Sequence, residues 1–243
     1  CKVQRWPDDM AALVAHIDGS AAAAAHRELA LALEAGGCGD PRLLAVYWRG
    51  AGDRERAAGY TLRAAADAEA GFAFDHAARL YRTALELHPP DHPAVHELQL
   101  KLAEALANAG RGAESAIYYF AAARGASKVE AVEYTRLAAD QLLRSGHIDE
   151  GLDAIRQVLQ AMRLGFPSTP RRALASIVLR RLQLRLRGLR FRERDATQVP
   201  PATLRRIELC LSIGTCLGIV DLIRGAKFSS RALLLALRAG EPN

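Results

Sequence analysis

The sequence predicts an all-α protein built of antiparallel helix hairpins stacked as an α solenoid, and three observations carry that prediction. Half of the residues are apolar, yet only 6% are aromatic. Alanine supplies much of the apolar share while isoleucine and valine are sparse, a balance that favours closely packed helices over sheets. A spaced signature also recurs. Ala77, Tyr81 and Ala84 set a small, an aromatic and a small residue at steps of four and three, with Pro89 five further on. The spacing returns in weaker form at Ala57/Thr61/Ala64, Ala116/Phe120/Ala123 and Gly151/Ile155/Val158. Helix-hairpin repeats need that pattern, because small residues let helices cross closely and bulky ones fill the gaps between them. Finally, glycine and proline punctuation leaves short loops, which make consecutive helices antiparallel neighbours.

Each element follows from its own signals. Asp8 to Ile17 reads as a short helix with Met10, Leu13, Val14 and Ile17 on one face. Ser20 is the expected N-cap of a helix running through Glu34, and Gly36-Gly37 ends it. Asp40-Pro41 starts the next, to about Arg49, with a capping carboxylate and a first-turn proline. Asp53 opens a helix that Gly71 separates from another ending at Pro89-Pro90. Pro93 leads into helix 94–109, and Gly110 and Gly112 turn the chain into 113–124. Residues 128–145 and 148–163 form a pair joined at Ser145-Gly146-His147.

Residues 171–190 hold Leu174, Val178, Leu182, Leu186 and Leu189 at helical spacing, although Leu182, Leu184 and Leu186 also alternate like a strand. The longer periodicity favours a basic helix. Asp195 to Pro201 reads as a loop, followed by helix 202–219 and a final helix near 227–239. Gly214 and Gly218 are expected to let another backbone approach, since glycine inside a helix otherwise costs about 1 kcal/mol.

Charge divides the chain. Residues 1–170 carry a net −4 and residues 171–243 a net +10, the change falling at the Pro167–Pro170 break. The four cysteines (Cys1, Cys38, Cys210 and Cys216) form no CxxC pair and are too dispersed for a disulfide framework. Reduced thiols fit a cytoplasmic location. The polar, acidic opening does not read as a signal peptide, and the longest strongly apolar run, Leu209 to Val220, is too short to span a bilayer. Cys1 and the abrupt end after Ala239 suggest a fragment of a longer polypeptide.

The repeat register resembles the tetratricopeptide repeat, with Gly146, Ile148 and Gly151 fitting its inter-helix turn. That resemblance implies stacked helix pairs in a right-handed solenoid. A second resemblance runs from Leu29-Ala30 and Leu33-Glu34 through Asp40-Pro41, Ala51-Gly52-Asp53 and Ala57-Ala58 to Ala73-Phe74, Ala77, Leu80-Tyr81 and Ala84-Leu85. This is similar to the helical arm that follows the nucleotide-binding module of bacterial signal-transduction ATPases. Those occur in LuxR-type activators and in serine/threonine protein kinases with a linked AAA-type ATPase. Ser145 to Gly151 and Leu186 to Asp195 resemble the kinase-linked group most. The resemblance implies a sensor or scaffold arm and carries over no catalytic residue. On this reading residues 1–40 are a helical linker after an upstream ATPase module, 41–166 the helix repeats, and 171–243 a basic, truncated continuation.

Catalytic motifs are absent from the sequence. There is no Walker A loop, Gly225-Ala226-Lys227 does not supply one, and no kinase Gly-rich loop, HRD or DFG occurs. No enzymatic activity and no cofactor is therefore expected of these residues. His88, His92 and His96 share a metal-like spacing, but Pro89, Pro90 and Pro93 interrupt any helix there, and a solvated loop is the better reading. Tyr81, Tyr118, Tyr119, Phe120 and Tyr134 could line a peptide groove, though aromatics at helical spacing are usually core. The arginines between 180 and 194 read best as a solvated helix face or as neutralising the acidic arm, with Arg181, Arg185 and Arg192 the candidates for a partner or anion contact. Only Phe191 interleaves with them, so a base-stacking surface is poorly supported. The expected function is a non-catalytic scaffold or sensor arm in a kinase-type signalling protein. Its partner would be another protein or the parent's own ATPase and kinase modules. The alternative is a ligand-sensing arm of an ATPase-type transcription regulator whose basic segment contacts nucleic acid.

Overall fold

The computed structural model describes residues 19–37, 39–166, 169–189, 194 and 198–240. The expected helix at Asp8–Ile17, Cys1, Cys38, Arg190 and Arg192 lie outside the described residues. Among the described residues there are eleven α-helices and no strand. They are α1 (Gly19–Ala35), α2 (Pro41–Gly50), α3 (Arg54–Ala70), α4 (Phe74–Leu87), α5 (Ala94–Asn108) and α6 (Gly112–Gly125). There follow α7 (Lys128–Arg144), α8 (Ile148–Ala161), α9 (Pro170–Arg187), α10 (Pro201–Val220) and α11 (Leu222–Ala239). None of these is long and apolar enough to cross a membrane. The helices form two compact units, Cys1–Gly110 and Arg111–Asn243.

Local chemistry starts several helices where the sequence predicts, although Ser20, the expected N-cap, is already the second residue of α1. The Asp40 carboxylate accepts the Arg42 N–H at 2.9 Å, and Asp53 accepts the Arg56 N–H at 3.0 Å. Each satisfies a donor that the first helical turn leaves unpaired. Ser127 and Glu130 close a reciprocal capping box on α7. The last helix begins five residues before the expected position. Asp221 ends α10 and also caps α11, accepting the Arg224 N–H at 2.9 Å, so one residue serves both helices without a separate loop.

In the first unit each helix packs on the next, from α1 through α5. Ala77, Tyr81 and Ala84 are buried on α4, and Ala57, Thr61 and Ala64 on α3. Leu44, Trp48 and Ala51 repeat the four-and-three spacing on α2 and are buried with Ala30 and Ala57. The register aromatics share a second property: each donates a hydrogen bond to a carboxylate in the last turn of an earlier helix. Trp48 Nε1 reaches Glu34 at 2.8 Å, and the Tyr81 hydroxyl reaches Glu69 at 2.8 Å. Their polar ends are therefore satisfied although the rings are buried.

In the second unit α6, α7 and α8 pack in series, α10 lies on α7 and α11, and α9 lies on α11. Gly151, Ile155 and Val158 are buried as expected. On α6 Ala116 is buried as expected, but the later positions shift one residue earlier: Tyr119 and Ala122 are buried along with Ser115, while Phe120 and Ala123 are only half-buried. The core gathers Leu143, Ile155, Leu159, Ile213, Leu217 and Phe228.

The close approach expected at Gly214 and Gly218 occurs between α10 and α11. A Cβ on Gly214 would lie 2.4 Å from Ser229 Oγ, and one on Gly225 would lie 2.7 Å from the Gly218 backbone nitrogen. A Cβ on Gly218 itself would meet nothing within 4 Å. Gly218 thus supplies backbone for Gly225 to rest on, and the tight positions are Gly214 and Gly225.

Candidate functional site

A concavity lies within the second unit, lined by residues of α7, α8 and α10. It is a groove of about 860 Å³. Val132, Val158, Ala161, Met162 and Leu209 supply apolar lining, and Val129 stands at its mouth, 53% exposed. Lys128, Glu133, Gln157, Arg205 and Glu208 contribute charges of both signs and an amide. An apolar lining with a few polar groups is the usual composition of a binding groove.

Arg136 fixes one wall. Its guanidinium donates to both Glu133 oxygens, at 3.0 and 2.5 Å, and to Ser212 Oγ on α10 at 2.6 Å. The Glu133 bond holds the Arg136 charge more firmly than usual, against the opposing effect of burial. One helical turn along, Asp140 accepts from Arg144 at 2.9 Å and from the Cys216 thiol at 2.9 Å. Burial first, and the Asp140 carboxylate second, push the Cys216 thiol up to about 12. Cys210 is likewise raised by burial. Both are therefore packing residues with protonated thiols rather than nucleophiles.

The basic segment divides by helix face. Arg181 and Arg185 are exposed on α9, while Arg192 lies outside the described residues. Leu174, Val178, Leu182 and Leu186 are also exposed, and Ala173 and Ile177 are the buried positions instead. Arg187 donates to the Leu237 carbonyl at 2.7 Å and ties the end of α9 to α11.

Arg180 turns toward α11 and shares a cavity of about 300 Å³ with Arg231 and Arg238. Burial first, and then the charges of Arg231 and Arg238, lower the pKa of Arg180. Sequence reasoning missed this trio because the three arginines are up to 58 positions apart. Their common signal is that each falls on the face α9 and α11 turn toward one another.

The remaining sequence candidates are structural. The His88 and His92 rings lie tilted at 54° with centroids 4.5 Å apart; His88 Nδ1 donates to the Ala84 carbonyl at 2.8 Å, and His92 Nδ1 accepts the Ala94 N–H at 3.2 Å. Among the described residues no group of three His, Cys, Asp or Glu is placed to hold a metal ion. Tyr81 and Tyr119 are buried, and Tyr118, Phe120 and Tyr134 are half-buried; none of the five lines the groove. No protein-family model matches the chain, and no curated protein matches it significantly.

Proposed function

We propose that this chain is a non-catalytic interaction arm whose α7/α8/α10 groove takes an amphipathic segment of a protein partner. The observation that carries the reading is the groove itself: apolar side chains inside, and Lys128, Arg205, Glu133 and Glu208 arranged around them. A peptide with apolar residues on one face and charges of both signs beside them matches that lining, as helices laid in grooves generally do. Within each unit the hairpins are read as tetratricopeptide-like. The buried four-and-three register at 44, 57, 77, 115 and 151 supports this through its spacing within each helix, not through a uniform period.

The parent is proposed to be a cytoplasmic bacterial signalling protein, a serine/threonine protein kinase with an ATPase module, on the strength of the sequence resemblance. Occupying the groove would favour one arrangement of α7, α8 and α10, and that preference would bias attached catalytic modules.

A peptide-display selection against this chain tests the reading. Enriched peptides should carry apolar anchors at i, i+3, i+4 and i+7, and should lose binding to the Val129→Glu variant. Val129 is exposed, so its replacement leaves the fold intact. Enrichment of peptides that bind V129E equally well, or no enrichment at all, contradicts it.

A further inference from the structure

Arg180, Arg231 and Arg238 converge between α9 and α11 and line one cavity together with Ser176 and Gln183, and among the described residues no Asp or Glu belongs to its lining. Elsewhere in this unit Arg136 pairs with Glu133, Arg144 with Asp140 and Arg224 with Asp221. A buried lysine lies in the same field. Lys227 is 8% exposed and donates to the Gly165 carbonyl at 3.0 Å. Burial first, and the charges of Arg180 and Arg231 second, lower its pKa.

Arg180 and Arg231 are half-buried and Arg238 is exposed; like charges brought together repel, and the two half-buried ones also lose hydration. Guanidinium groups arranged around a cavity, with hydrogen-bonding Ser176 and Gln183 beside them, match the oxygen array of a phosphate or diphosphate. Buried Leu234, half-buried Leu235 and exposed Leu179 supply the apolar part of the lining.

We propose that the cavity formed by Arg180, Arg231 and Arg238 is a binding site for a compact phosphate-class anion, with two or more negative charges. The site is separate from the α7/α8/α10 groove and shares no lining residue with it. The anion would supply the negative charge that this face lacks, joining α9 to α11. It recognises charge density and oxygen geometry, so diphosphate should bind more tightly than monophosphate. The exposed Arg181 and Arg185 take no part.

Isothermal titration calorimetry with inorganic pyrophosphate, at ionic strength matched with chloride, tests this directly. Binding to one site per chain is expected, weakened by roughly tenfold or more in Arg231→Gln and in Arg238→Gln. Arg185→Gln and V129E should bind as the parent does. Thermal melting supplies a second reading that does not depend on the ligand. Without anion, R231Q should melt above the parent, because repulsion has been removed; with pyrophosphate the parent should gain more than R231Q. Absence of binding beyond the chloride control overturns the proposal, as does equal binding by R231Q. An R231Q variant that melts below the parent without anion also overturns it, since the arginines would then be neutralised by the protein's own carboxylates.

Discussion

The Tyr81 hydroxyl donates to Glu69 at 2.8 Å, linking the central register residue of α4 to the last turn of α3. Trp48 makes the corresponding bond to Glu34 from α2 to α1. At these two positions the register specifies more than volume: a buried ring carries a donor that a carboxylate satisfies. Removing only the hydroxyl, in Tyr81→Phe, should cost about 1–2 kcal/mol by urea unfolding, and Tyr81→Ala about 3–5 kcal/mol. Burial, and then the Glu69 bond, raise the Tyr81 pKa, so the folded state retains the phenolic proton that the unfolded state loses. The contribution is complete below about pH 10 and falls as pH rises, and Y81F should lose less stability above pH 10 than the parent.

Glu34 predicts the opposite limb. Hydrogen bonds from Tyr60 and Trp48 hold its carboxyl below the usual value of 4.5. Its contribution is present above that value and is lost as pH falls through the folded one. Between pH 5 and pH 3 the urea midpoint of the parent should fall further than that of Glu34→Gln. Equal slopes would remove Glu34 from the account.

Ala77 is fully buried at a helix crossing, so Ala77→Arg must displace its neighbours or bury a charge. A loss of about 3 kcal/mol or more is expected. A variant that melts like the parent would show that the register is misplaced.

The α10/α11 crossing separates two glycines by direction. Gly225→Ala places a Cβ 2.7 Å from the Gly218 nitrogen and 2.8 Å from the Gly214 carbonyl, both rigid backbone atoms. It should destabilise by roughly 2 kcal/mol or more, as overpacking does. Gly218→Ala meets nothing and should stabilise by up to about 1 kcal/mol through helix propensity. Thermal melting of the two variants reads the contrast.

Cys210 and Cys216 should resist alkylation at pH 8. Both are buried with raised thiol pKa values, and Cys216 also donates to Asp140. Peptide mass spectrometry after iodoacetamide should find them unmodified until denaturant is added. Modification of either in the native protein would contradict this packing.

Where small residues and a lone aromatic alternate cleanly, as at Ala77, Tyr81 and Ala84, the sequence reveals both helix and face. Three consecutive aromatics at Tyr118–Phe120 leave the phase of α6 open, and packing selects Tyr119. Leu44 conceals the α2 register because its first position is large. The basic segment was legible in its charge but not in its geometry. One residue changes direction on a helix by about 100°, which separates exposed Arg181 from cavity-lining Arg180. No local pattern announces that α11 will bring Arg231 and Arg238 to the same place. The groove is similarly assembled from three helices whose own sequences mark only their packed faces.

Hydrogen–deuterium exchange of the chain with and without a display-selected peptide tests the central claim most directly. The account predicts added protection in residues 128–136, 157–162 and 205–212, with no change at 174–186, and loss of that protection in V129E. Protection confined to α9, or spread evenly over both units, would contradict it.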